Sequence, residues 1–219
     1  MSVPPDPDGR PWLLALHSSS ESLGVGLQRL GAVAPERLET FPLGRSLSNG
    51  LFDCLESVLP ASAWPRLGRL AVATGPGGFT GTRLTVVLAR TLAQQLALPL
   101  DGISSFRLMA RRLLTGPEPP GGDGPFWLLQ ELPRRGVVAG LYGADPGHPG
   151  GVAELEAPRL HRDREALAPH PIRPALVQLP EDVIQLLGFS GANAAEGRAA
   201  PWQPVLPLYP TSPVEALPC

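Results

Sequence analysis

The stretch "LAVATGPGGFTGTRLTVVLARTLAQQLALPL" (70–100) sets the strongest limit on how this chain folds. An apolar run of strand length enters a glycine-dense loop, GPGGFTG (75–81), and leaves it directly in a helical pattern. Strand, tight loop and helix in that order form the basic step of a layered α/β fold. The loop has two readings. A phosphate cradle needs successive backbone N–H groups aimed into one hollow at a helix N-terminus, where the macrodipole favours an anion. Gly75, Gly77, Gly78, Thr80 and Gly81 stand in the right place for that. They match no standard cradle, however, because the P-loop lysine is missing, the G-x-G-x-x-G spacing is broken and Pro76 removes a donor. In the second reading Gly77 and Gly78 supply positive φ and Thr80 caps the helix, so the loop is a rigid bend.

The helix that follows, from about Thr80 to Leu96, is more informative. Leu84, Val87, Leu88, Thr91, Leu92 and Gln95 make one stripe at helical spacing, and the smaller Val86, Ala89, Ala93 and Ala97 make another. Only Arg83, Arg90 and Gln94 mark a polar side. A helix apolar on nearly all sides lies at the centre of a core, or between its own sheet and a partner.

Around this unit the pattern predicts strands at 12–20 and 21–30 joined by a serine-rich turn, and an edge strand at 36–43 where Pro42 is tolerated. Leu47, Leu51, Leu55, Val58 and Leu59 predict a helix from Ser46 to Leu59, stopped by Pro60 and capped by Ser46 or Ser48. A short helical piece near "ASAWPRL", a strand at 69–74 and another at 98–104 complete the first half. "GPEPPGGDGP" (116–125) reads as a linker or long loop. Beyond it, "FWLLQEL" and "GVVAGLY" predict an antiparallel pair around "PRRG", "DPGHPGG" a turn, and "PEDVIQLLGF" (180–189) a short helix. "RLHRDRE" (159–165) reads as a mixed-charge surface. The organisation expected is a leader at 1–11, a first lobe at 12–115, the linker, and a smaller second lobe at 126–219.

Composition excludes several functions. A net charge of −2 in 219 residues is not that of a strongly basic nucleic-acid binder, and all 18 basic residues are arginine, so no lysine chemistry is available. Cys54 and Cys219 make neither a disulfide framework nor a metal cluster. His17, His148, His161 and His170 include no pair at i, i+4 and are expected exposed or at strand ends, so no metal site is predicted. The absence of a signal sequence or spanning segment predicts a soluble, cytoplasmic protein.

Three blocks, "LLALHSSSESLGVGL" (13–27), "RSLSNGLFDCLESVLP" (45–60) and the stretch 70–106, resemble in order and spacing the TsaB family, also called YeaZ. The family's Gly-Pro-Gly-Ser-Phe-Thr-Gly-x-Arg loop is matched almost position for position, with Gly78 in place of the Ser. After residue 106 the echoes are "LPRRGVVAGLY" (132–142), which keeps Arg134 of an Asp-Ala-Arg-type turn, and "PVLPLYPTSPVE" (204–215), with Tyr209 in a Pro-x-Tyr segment.

The resemblance implies an actin-like ATPase fold (ASKHA, RNase H-like), two-lobed, with a degenerate second lobe. It implies a non-catalytic subunit that binds and activates a TsaD-like transferase for threonylcarbamoylation of the adenosine beside the anticodon of ANN-decoding tRNAs. A TsaE-like ATPase joins them, ATP and Mg²⁺ are bound by those partners, and tRNA is met only through the complex. A homodimer of the free protein is also allowed. The family's interface helices correspond to about 46–59 and 80–97, which assigns Leu47, Leu51, Leu55, Leu84, Val87, Arg90 and Thr91 to the partner interface. Val87→Arg or Leu51→Arg is then expected to break binding without unfolding the chain. His17 stands where the family has Asp, and Leu132 replaces the second-lobe acid; both departures lower the expectation of Mg²⁺-dependent hydrolysis. The alternative is an actin-fold ATP-binding kinase or hydrolase that uses the 75–81 loop, and the absent His pair disfavours a metallopeptidase.

Overall fold

The computed structural model describes residues 9–120, 124–133 and 135–210. Arg134, Cys219, most of the leader, the middle of the linker and the chain beyond 210 lie outside the described residues. A first sheet is built from β1 (Trp12–His17), β2 (Leu23–Arg29), β3 (Arg37–Phe41), β4 (Leu67–Ala73) and β5 (Leu100–Ile103), in the order β3-β2-β1-β4-β5. β1–β2 and β2–β3 are antiparallel, whereas β4 lies parallel to both β1 and β5. All six residues of β1 are buried, as its unbroken apolar run requires of a central strand covered on both faces.

Alternation sorts that sheet into two faces. Leu14, Leu16, Leu70 and Val72 point to one side, where they pack with α1 (Leu47–Val58) and α2 (Phe79–Leu96). Leu13, Ala15, Ala71 and Ala73 point to the other, toward α3 (Ser105–Leu114) and α4 (Glu181–Ala195). Close approach on this second face depends on glycine. A Cβ at Gly26 would stand 2.7 Å from Val183 and 2.8 Å from Leu187 of α4, so a larger residue would lift the helix off the sheet.

The second sheet, β6 (Phe126–Leu132), β7 (Gly136–Ala144), β8 (Val152–His161) and β9 (Ile172–Pro174), has the order β8-β7-β6-β9. Its inner side chains, among them Phe126, Leu128, Val138 and Tyr142, join α3 and α4 in the core shared with the first sheet. Its outer face buries Trp127, Leu129 and Val137 under Leu167. α4 comes from the second half of the sequence yet packs on β1, β2 and β4. A buried network fixes it there: Arg69 donates to Asp101 through Nε at 2.6 Å and Nη2 at 3.0 Å, and Ser190 and Asn193 of α4 donate to the same carboxylate.

After α4 the chain runs back as a proline-rich strap along the open edge of β5. Leu100 N–H donates to Ala200 O at 2.8 Å, Leu208 N–H donates to Thr74 O at 2.8 Å, and Val205 is buried between those two points. The sheet edge is thereby covered by chain that cannot itself form a long strand.

Three differences from the sequence reading have physical causes. α3 was not expected at 105–114, because arginines interrupt its short stripe of Phe106, Leu108, Met109 and Ala110. β8 was not expected either; it is an edge strand with one face exposed, and its alternation is diluted by Glu154, Glu156 and Pro158. The helix expected at 180–189 runs on to Ala195.

Candidate functional site

The glycine loop packs against the turn that follows β1. Gly75 adopts φ +95°, and its carbonyl accepts from Ser105 N–H at 2.7 Å. Gly77 has no positive φ; its small size is what counts, because a Cβ there would lie 2.3 Å from Ser19 O and 2.7 Å from Ser19 Cα. Gly78 N–H donates to that same Ser19 carbonyl at 2.9 Å, so one donor of the would-be cradle is already used. The turn is pinned in its place by hydroxyl contacts, Ser18 to Thr85 at 2.6 Å and Ser19 to Ser105 at 2.7 Å.

Two expectations about this loop are corrected. Positive φ belongs to Gly75 and not to Gly77 or Gly78. Helix α2 starts one residue earlier than predicted, with Gly78 at the N-cap, and Thr80 makes no capping hydrogen bond. Gly81 sits in the first turn of α2, where a Cβ would come within 2.9 Å of Ser18 O. Of the five residues singled out, Gly77 and Gly81 thus serve close packing and Gly75 a left-handed turn, while Gly78 and Thr80 are exposed without such a contact.

His17 ends β1 beside this loop, one of the two placements expected for the histidines, and is fully buried there. Burial without a charged partner lowers its pKa to about 4, so the imidazole is neutral at ordinary pH. Its Nε2 has no hydrogen-bond partner among the described residues. No group of three His, Cys, Asp or Glu among the described residues could hold a metal ion.

Between the glycine loop and the second sheet lies a cleft of about 370 Å³, bounded by Pro76, Phe79, Gln130, Leu132, Val138 and Tyr209. Among the described residues its lining has Arg135 as the one charged side chain and includes no carboxylate.

The other side of the loop faces outward, where α1 and α2 lie side by side. Leu51 and Leu55 do not contribute to that surface, and Leu47 reaches only the wall of a groove in it. They are turned inward, Leu51 to 4% exposure, because the i, i+4 stripe of an amphipathic helix packs on its own sheet. α1 leaves open Ser48, Asn49, Phe52, Asp53, Glu56 and Ser57, with Phe52 55% exposed. α2 is likewise less open than its composition suggests: Val86, Leu88, Ala89, Leu92 and Ala93 are buried, and Val87 alone of its large aliphatic residues is strongly exposed, at 53%. Leu84 is half-buried and Thr91 exposed beside it. Arg90 bends over the Trp202 ring and donates to Val205 O at 2.6 Å, which commits it to the strap. A groove of about 440 Å³ separates the N-terminal ends of the two helices, with Leu47, Phe79 and Leu84 in its wall and Glu21 and Arg45 at its rim. Phe52 and Phe79 are the exposed residues that sequence reasoning missed, although Phe52 lies one position beyond Leu51 in the same helical pattern.

Among the described residues no helix is long and apolar enough to cross a membrane. A family model described as tRNA N6-adenosine threonylcarbamoyltransferase, TsaD, matches residues 45–129. The chain is 29% identical over 203 residues to the tRNA threonylcarbamoyladenosine biosynthesis protein TsaB of Bacillus subtilis, covering 83% of this chain and 80% of that one. Two solved structures from Pseudomonas aeruginosa share the fold at 21% identity. One, an uncharacterized protein with similarity to peptidase YeaZ, has a TM-score of 0.68 and covers 91% of this chain and 99% of its own. The other, YeaZ, has a TM-score of 0.65 and covers 90% and 99%. These comparisons bear out the resemblance and the actin-like fold inferred from the sequence.

Proposed function

We propose, for a chain of TsaB (YeaZ) likeness and actin-like ATPase fold, a role in tRNA threonylcarbamoyladenosine biosynthesis as a non-catalytic subunit that binds and activates a TsaD-like transferase. The observation that carries this reading is the outer face of α1 and α2, where Phe52, Phe79 and Val87 are left about half exposed beside well-packed helices. Three large apolar side chains on adjacent helices match the aromatic and aliphatic anchors that dominate association when water is excluded around them. Leu84 and Thr91 extend the face. A partner that covers it favours the conformations in which both proteins fit, which is how an inactive subunit can activate its neighbour.

Chemistry on this chain alone is disfavoured by the same geometry. A neutral, buried His17 cannot organise Mg²⁺ and its waters as a carboxylate would, and the loop's small residues serve packing against Ser19. The phosphate function of Gly75, Gly77, Gly78, Thr80 and Gly81 is accordingly vestigial, and ATP and Mg²⁺ belong to the TsaD-like and TsaE-like partners. The kinase or hydrolase alternative would be revived by micromolar Mg-ATP binding in calorimetry.

The direct test is co-expression with the TsaD-like protein of the same organism, followed by a mass measurement of the purified complex. Val87→Arg should abolish co-purification, a loss of about 2 kcal/mol or more for an anchor residue, with the fold intact. Unchanged co-purification would count against the interface. Leu51→Arg is no longer a suitable variant, since it would place a guanidinium in the core and unfold the chain.

A further inference from the structure

The strap does more than cover a sheet edge. Its last described turn returns to the start of α2, where Tyr209 stacks on Phe79 with ring centroids 5.2 Å apart. Arg83 lies over both rings, 4.4 Å from the Phe79 centroid and 5.5 Å from that of Tyr209, and its Nε donates to the Tyr209 hydroxyl at 2.9 Å. Seven residues along the helix, Arg90 holds the strap a second time through Val205 O and the Trp202 ring. Both exposed-side arginines of α2 are thus turned toward the chain's own strap, and the outer face of α2 is bounded by α1 on one side and the strap on the other.

The clasp itself remains open to a partner. Tyr209 is 38% and Phe79 48% exposed, and they continue the surface formed by Leu84 and Val87. Neither Arg83 nor the neighbouring rim residue Arg45 is in an ion pair with any described residue, whereas the opposite end of this face carries Asp53 and Glu56 of α1. The clasp end of the face thus carries Arg83 and Arg45 with Glu21 as its neighbouring carboxylate, an aromatic end with a cationic excess.

We infer that the strap completes the partner-facing site: Tyr209, Phe79 and Arg83 form its cationic-aromatic end, and the partner segment seated there carries a carboxylate. This rests on the interface reading above and assigns a part of it to chain that no helix supplies. An aromatic platform under a guanidinium holds that group in one place, so little side-chain entropy is lost when a carboxylate docks. Tyr209 is at once a contact and a positioning residue for Arg83.

The full-length chain and its TsaD-like partner are titrated against each other at two salt concentrations, with wild type, Val87→Arg, Tyr209→Phe, Tyr209→Ala and Arg83→Met compared, and each chain's thermal midpoint measured alone. Tyr209→Ala and Arg83→Met should weaken binding at least about tenfold while the midpoints stay close to wild type. Tyr209→Phe, which keeps the stack, should recover much of the loss. Added salt should weaken wild-type binding more than that of Arg83→Met. If Val87→Arg abolishes binding but Tyr209→Ala and Arg83→Met bind like wild type, the strap has no part in the site and the inference falls alone. If Val87→Arg also binds like wild type, the interface reading falls and takes this inference with it.

Discussion

Replacing Gly77 by alanine separates the two roles a glycine can have at this loop. The added Cβ would stand 2.3 Å from Ser19 O, 2.4 Å from Ser19 Cβ and 2.7 Å from Ser19 Cα. All three atoms belong to a turn held by the Ser19–Ser105 and Ser18–Thr85 hydroxyl contacts, so no flexible side-chain end can swing away. To reach an ordinary contact of 3.4 Å the carbonyl must retreat by about 1 Å. Overpacking of this kind costs about 1–3 kcal/mol, and straining the Gly78–Ser19 hydrogen bond adds up to about 1 kcal/mol. Against this, alanine restricts the unfolded chain and returns about 0.4–1 kcal/mol. The net expectation is a destabilisation of about 1–3 kcal/mol in the absence of any ligand. Gly78→Ala is the control: its Cβ would meet nothing closer than 3.7 Å, so it should stay within about 1 kcal/mol of wild type. Urea unfolding reads both, with the midpoint shifting and the slope unchanged. If Gly77 were small to admit a phosphate and not to admit Ser19, the free protein would tolerate alanine there. A Gly77→Ala chain as stable as Gly78→Ala would therefore refute the packing argument and bring back the cradle.

The remaining predictions concern buried charge. His17 has its folded pKa lowered from 6.5 to about 4, so the unfolded state takes up the proton first as the medium is acidified. Its contribution is present above pH 6.5, declines as pH falls toward 4, and amounts over the window to something on the order of 3 kcal/mol. Urea midpoints measured across that range should fall more steeply for wild type than for His17→Gln; equal slopes would mean that His17 is solvated. Asp182, whose pKa burial raises, contributes with the opposite sign in both proteins and so cancels in the comparison. Arg69→Met strands the Asp101 carboxylate in the core and should cost about 3–5 kcal/mol in the same assay, and a loss under 1 kcal/mol would show the pair to be hydrated.

Much of the first sheet and its two outer helices was legible because each element there repeats one period over several turns or residues. Leu47, Leu51, Leu55 and Val58 announce α1 without ambiguity. The same stripe misleads about function, since periodicity identifies the apolar face of a helix and not what covers it. Leu51 is covered by this chain, whereas Phe52, next to it in sequence and off the stripe, is open. Arg90 fails as a surface prediction for a related reason: its partners, Trp202 and Val205, lie more than a hundred residues away, and no local pattern brings them together. The glycine loop was half legible. Its position before a helix could be read, but Gly77's need to be small comes from Ser19 in the turn after β1, more than fifty residues away.

That α4 lies on β1, β2 and β4 has a consequence for synthesis on the ribosome. β1 emerges well before α4, yet one face of its sheet, with Leu13, Ala15, Ala71 and Ala73, waits for Val183, Leu186 and Leu187. At translation rates of about 5–20 residues per second, roughly 10–30 s pass between the two. For that time only α3 and the early part of the second sheet stand on this face of the nascent first sheet, and the area that α4 will cover stays open. Fragments ending before residue 181 should therefore aggregate where the full chain stays in solution.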